Sequence, residues 1–136
     1  MSEMIVNKLT GKTSAGDIDV NVSGTVTMQL QKGLAKSWAR WRQDTNVIVK
    51  SENVSSYTDA GTGISRLTFT NNMSDADYSA IATAGELAGG GNRNMGVNGN
   101  SGRTPTSSII SFYVVNMSNG ASDDSCLSMC IMGDLA

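Results

Sequence analysis

Val54-Ser55-Ser56-Tyr57-Thr58, Asp59-Ala60-Gly61-Thr62-Gly63 and Ile64-Ser65-Arg66-Leu67-Thr68-Phe69-Thr70 follow one another without a break, and this stretch decides the fold class. Two runs rich in β-branched and aromatic residues flank a turn made of Asp and Gly, which is the pattern of a β-hairpin. In the second run Leu67 and Phe69 share one face. Upstream, Asn46-Val47-Ile48-Val49-Lys50 is a further short apolar run. Residues 34–42 read Leu-Ala-Lys-Ser-Trp-Ala-Arg-Trp-Arg. As a helix, Leu34, Trp38 and Trp41 would share a face. As a strand, Ala35, Ala39 and Trp41 take one face and Lys36, Trp38, Arg40 and Arg42 the other. The run is only nine residues between Gly33 and Gln43-Asp44, and that length favours a strand, although periodicity alone does not decide. Farther out, Asp17-Ile18-Asp19-Val20-Asn21-Val22 alternates strictly, Ser23-Gly24 interrupts it, and Thr25 to Leu30 resumes it. Residues 1–16 scatter Met4, Ile5, Val6 and Leu9 among polar and turn residues, too thinly to bury much alone.

Downstream, residues 71–77 read as a connection, Tyr78 to Thr83 as a short strand, Ile109 to Asn116 as the most strongly β-forming run, and Leu127 to Met132 as the last strand. Residues 85–108 break this rhythm. They hold seven of the 15 glycines and four asparagines, with no alternation. A connection that long is uncommon in a compact domain unless it is functional or disordered. Short strands punctuated by turns predict an all-β chain. We expect an antiparallel β-sandwich, jelly-roll-like, over residues 31–136, with residues 1–30 as an extended attachment and oligomerisation segment.

Composition narrows the function. The 136 residues carry 16% charged side chains and a net charge of −2, which gives no footprint for nucleic acid. There is no histidine, so triads that use His and His-ligated metals are excluded. Cys126 and Cys130 would lie about 13 Å apart along a strand rising about 3.3 Å per residue, too far for a disulfide between them, and they read as small buried hydrophobes. No apolar run approaches the roughly 18 residues of a membrane span, and the N-terminus shows no signal peptide. Aromatics are 5% of the chain, and so thin a core predicts self-association, here as a homotrimer.

No motif points to an enzyme, a cofactor or a metal. The Gly85–Gly102 stretch lacks the Gly-Lys-Ser/Thr end of a phosphate loop. Asp17/Asp19 and Asp75/Asp77 read as turn or strand-flank residues rather than calcium ligands. Lys36 and Ser37 are adjacent, so on a strand they point apart. Trp38, flanked by Lys36 and Arg40, makes an amphipathic face suited to a subunit interface; stacking on sugar is the other use of such an indole. The recognition loop is placed at residues 85–108, where Asn92, Asn94, Asn98 and Asn100 offer paired donors and acceptors and Arg93 and Arg103 offer charge.

Gly33-Leu34-Ala35-Lys36-Ser37-Trp38-Ala39-Arg40-Trp41 resembles the Gly-aliphatic-Ala-Lys-Ala-Trp-Val-x-aromatic signature of tail-fibre and fibre-like virion proteins of tailed bacteriophages. Asn53-Val54-Ser55-Ser56-Tyr57-Thr58-Asp59-Ala60-Gly61-Thr62-Gly63 resembles that family's next segment. Leu67-Thr68-Phe69-Thr70, Met73-Ser74-Asp75-Ala76-Asp77-Tyr78 and the closing Cys130-Ile131-Met132-Gly133-Asp134 continue the likeness, and Val6-Asn7-Lys8-Leu9-Thr10-Gly11-Lys12-Thr13 resembles the start of short virion proteins of marine phages. The likeness covers roughly residues 5–83 and 127–134. Trp41 stands where the family has Phe, Arg40 where it has a small polar residue, Met132 where it has Phe, and residues 85–108 match nothing in it. The resemblance implies a β-rich, commonly trimeric virion element without enzymatic activity. The first expectation is a short fibre or knob that adheres to a host-surface glycan or protein and joins other virion proteins through residues 1–30. A capsid decoration or head-fibre protein, and a stand-alone carbohydrate-binding module, are the alternatives.

Overall fold

A computed structural model of the chain describes residues 18–23, 26–30, 33–85, 93–99, 102–116 and 120–136. The chain divides into two compact units, Met1–Leu34 and Ala35–Ala136. In the first, β1 (Asp19–Ser23) and β2 (Val26–Gln29) pair antiparallel, with Val20 opposite Met28 and a register shift between Asn21 and Ser23. The Leu30 amide donates to the Ile18 carbonyl and closes this hairpin at 2.8 Å. The two alternating runs read from the sequence are therefore two paired strands. Of residues 1–30, read as the attachment segment, residues 1–17, 24 and 25 lie outside the described residues.

Among its described residues the second unit holds eight strands: β3 (Ser37–Arg42), β4 (Val47–Glu52), β5 (Val54–Asp59), β6 (Ile64–Phe69), β7 (Ser79–Gly85), β8 (Arg93–Val97), β9 (Ile109–Asn116) and β10 (Cys126–Met132). They form two antiparallel four-stranded sheets, in the orders β4-β3-β10-β7 and β5-β6-β9-β8. The chain is all-β among the described residues, and the sandwich read from the alternation is present. β3–β4, β5–β6 and β8–β9 are hairpins, and the other connections pass between the sheets.

The period-two pattern settles the ambiguous run at 34–42. On β3, Ser37, Ala39 and Trp41 point into the core and Trp38 and Arg40 point out. A helix would have placed Trp38 beside Trp41; the strand separates them by a full sheet thickness. Leu127, Met129 and Ile131 of β10, Leu67 and Phe69 of β6, and Ile110, Phe112 and Val114 of β9 complete the buried layer. Trp41 is fully buried; its ring lies 5.7 Å from that of Phe112, and its Nε1 donates to Ser65 Oγ at 2.7 Å. From β3 the indole thus reaches across the core and both packs on and hydrogen-bonds to the facing sheet, which satisfies its only polar atom inside the core.

Local chemistry explains the corners. Asn53 joins β4 to β5 with φ 55°, a left-handed conformation that Asn tolerates. Its side chain holds the Asn71 backbone from both sides, accepting from the amide at 2.6 Å and donating to the carbonyl at 3.1 Å. Asp59 accepts from the Gly61 amide in the β5–β6 turn. Gly63 has φ 72°, and a Cβ there would stand 2.5 Å from the Val114 carbonyl oxygen. Its amide donates to Asp123 Oδ1 at 2.6 Å, which ties the hairpin to the segment before β10. At Gly133 a Cβ would meet Tyr78 Cβ at 2.8 Å, so this position accepts no side chain without displacement.

The cysteines share a face of β10, as the spacing predicts, but it is the outer face. Both are free and half-exposed. Leu127, Met129 and Ile131 occupy the alternate positions and take the core, so the reading of the cysteines as buried is corrected.

Candidate functional site

Residues 85–108 do not form one exposed loop. Arg93–Val97 is an edge strand, paired with β9 from Arg93↔Asn116 to Val97↔Phe112. Its only bulky apolar residues are Met95 and Val97, so glycine and asparagine masked a strand that is specified by its neighbour. Farther along, Gly102 lies against the outer face of the β5-β6-β9-β8 sheet, its carbonyl accepting from Arg66 Nη2 at 2.7 Å. The Asn98 amide donates to the Ser111 carbonyl, Met73 to Ser107 and Phe69 to Ser108, all at 2.8–2.9 Å. Tyr78 Oη donates toward the carbonyls of Thr106 and Ile109 at 3.1 and 3.2 Å and pins the end of the segment. Burial of this phenol pushes its pKa up to about 12.

The six residues read as a recognition set separate accordingly. Asn92 and Asn100 lie outside the described residues. Arg93 is committed to structure: its Nε donates to Asp124 Oδ1 at 2.7 Å, and the Asp124 side chain is almost fully buried. Asp124 and Gln43 bind each other reciprocally, backbone to backbone at 2.8 Å and Asp124 N to Gln43 Oε1 at 3.2 Å. Asn98 is also buried, at 5% exposure. The exposed role expected for Arg93 and Asn98 is therefore corrected: Arg93 of β8 is held by Asp124, and Asn98, just past the strand, is buried beside Ser111. Asn94 is exposed and lines a shallow depression of about 260 Å³ with Tyr113, Val115 and the bare backbone at Gly96. Arg103 is half-buried and lines a second, smaller recess.

That recess, about 80 Å³, lies between Arg66, Arg103, Ser111, Thr104 and Thr106. Arg66 and Ser111 are register partners on β6 and β9 and point outward together. Arg66 Nη2 donates to the Gly102 carbonyl at 2.7 Å, which fixes the guanidinium plane. Its Nε is buried without a partner among the described residues, and so is Ser111 Oγ. Neither Arg66 nor Ser111 was singled out from the sequence. The available signal was an Arg and a Ser at outward positions of β6 and β9.

The residues read as a subunit interface lie on the other sheet. Trp38 is 37% exposed and Arg40 is exposed, with Arg40 Nη2 directed at Cys126 Sγ at 3.7 Å; Lys36, just before β3, is half-buried. In the register, Ile81, Cys130, Trp38 and Glu52 stand in one row across four strands. Ile81 and Met132, next to this row, are 57% and 38% exposed. Among family models, curated proteins and solved structures, none matches the chain.

Proposed function

We propose that the chain is a bacteriophage virion structural protein, a short fibre or knob that adheres to the host surface and performs no catalysis. The carrying observation is the outer face of the β5-β6-β9-β8 sheet. There Tyr113 and Asn94 flank a backbone ledge at Gly96 and the arginine-lined recess lies beside Ser111. An aromatic ring, an amide and fixed donors in a shallow open site suit saccharide hydroxyls better than an apolar ligand. The resemblance to tail-fibre proteins supplies the virion context. In this reading the Trp38 face is the contact between three copies, residues 1–30 join other virion proteins, and trimerisation multiplies a weak contact through effective concentration.

The reading is tested on particles. Antibodies raised against the chain label assembled virions, and the free protein competes with virions for adsorption to the host. Tyr113→Ala abolishes that competition while the protein stays folded. Labelling without any competition moves the protein to the decoration or head-fibre role. An absence of labelling on particles overturns the virion assignment.

A further inference from the structure

We propose that the recess formed by Arg66, Arg103 and Ser111 binds one small oxyanion, the carboxylate of an acidic sugar. The identity of the sugar rests on the adhesion reading; the anion site does not. Three observations carry it. The first is charge. Two arginines line one recess of about 80 Å³, and among the described residues no carboxylate lines it with them. The outer row through Arg66 runs Thr58, Arg66, Ser111, all without negative charge. Two like charges in one cleft repel each other, and an anion between them removes that repulsion.

The second observation is unmet hydrogen bonding. Arg66 Nε and Ser111 Oγ are both buried with no partner among the described residues. Ser111 is 1% exposed, so no rotation takes its hydroxyl to bulk solvent. A buried donor left unsatisfied costs about 1–3 kcal/mol. Arg has no acceptor atom, so only an acceptor meets this need. A carboxylate accepts from several donors at once and forms the stronger, charge-assisted kind of bond.

Thirdly, the geometry is prepared. Arg66 Nη2 is already held by the Gly102 carbonyl at 2.7 Å, so the side chain does not have to be ordered when a ligand arrives. Tyr78 anchors Thr106, and the Thr106 hydroxyl accepts from the Ile109 amide at 3.0 Å. The rim opposite Arg66 is therefore tied to the sheet. The recess has room for a small oxyanion and not for a sugar ring, so the ring of an acidic sugar stays outside it, on the open outer face.

The test is an NMR titration of the full chain with four probes: sodium acetate, sodium sulfate, glucuronate and glucose. Acetate, sulfate and glucuronate are expected to move the Arg66 Nε–H and Ser111 resonances, with glucuronate binding at least about tenfold more tightly than acetate. Glucose alone moves neither resonance. Arg66→Gln and Arg103→Gln each weaken binding about tenfold or more, and added salt weakens it progressively. Lys50→Gln, which removes the same charge from the other sheet, leaves binding unchanged. Near-ultraviolet circular dichroism of each variant verifies the fold. If none of the three anions moves these resonances, the site does not exist as proposed. If acetate and glucuronate bind equally, the anion site stands and the acidic-sugar assignment is overturned, whatever the particle experiments show.

Discussion

On the outer face of the β4-β3-β10-β7 sheet, Ile81, Cys130, Trp38 and Glu52 form one register row; on the outer face of the other sheet the corresponding row is Thr58, Arg66 and Ser111. Both rows arise from the same alternation around the same core. The first is largely apolar and bare. The second is polar, and the Gly102 carbonyl and the Arg103–Thr106 segment lie against it. A bare apolar row exposes area whose removal from water is worth about 25 cal/mol per Å², so it gains by contact with another surface of its own kind. A polar row beneath a folded-back segment gains nothing from self-association, but it can hold donors at fixed positions. In the proposed reading, association between copies belongs to the Trp38 face and ligand contact to the Arg66 and Tyr113 face.

The sharpest way to break this division is to compare the two tryptophans. Trp41→Ala removes a fully buried indole and leaves Ser65 Oγ without its donor, so a loss of about 3–5 kcal/mol is expected in denaturant unfolding. Trp38→Ala in dilute protein is expected to cost about 1 kcal/mol or less, while shifting sedimentation equilibrium from trimer to monomer. Equal costs for both, or a wild-type chain that stays monomeric at micromolar concentration, would remove the apolar row as a contact.

Next in size is the tether of the polar face. Asp124→Asn removes the carboxylate that pairs with the half-buried Arg93 at the start of the edge strand β8. The expected cost is about 2 kcal/mol, at the low side for a broken buried pair because Arg93 retains some solvent contact. Hydrogen exchange should locate the effect: amides of β8 lose protection and those of β7 and β10 keep theirs. Uniform loss of protection would mean that Asp124 supports the whole core and not one edge.

The sandwich was legible where alternation and turn chemistry agreed. The resemblance to fibre proteins rests on residues that have folding tasks: Asn53 at the left-handed corner, Asp59 and Gly63 in the hairpin turn, Gly133 against Tyr78. Those residues specify a scaffold, so their likeness to a family speaks first about architecture. The β8 strand was illegible because Arg-Asn-Met-Gly-Val has little β propensity of its own and is held by pairing with β9. The recess was illegible for a different reason. Arg66, Arg103 and Ser111 meet only through the β6–β9 register and a fold-back of the chain, neither of which leaves a spacing in the sequence. Arg93 and Asn98 were overvalued because composition counts donors without showing which way a strand turns them.

The smallest effect separates the two faces by pH. Tyr78 packs its ring edge-on to Phe69 at 5.7 Å and fastens the covering segment through the Thr106 and Ile109 carbonyls. Burial raises its pKa from 10.0 to about 12. Below pH 10 the phenol is protonated in both the folded and the unfolded chain, and its contribution to stability is complete. As pH rises from 10 toward 12 the unfolded chain ionises first, so that contribution falls and is lost once the folded group ionises too. Tyr57, whose pKa is also raised by burial, adds to the same slope. Tyr78→Phe is expected to cost about 1 kcal/mol at neutral pH, the typical value of a hydrogen bond, and to flatten the fall above pH 10 without abolishing it. Because the phenol anchors only the covered face, protection at Ile109 should drop in this variant while the Trp38 row and its association between copies stay unchanged. A variant that keeps the full alkaline slope would show that Tyr57 alone carries it and that the covering segment is fastened elsewhere.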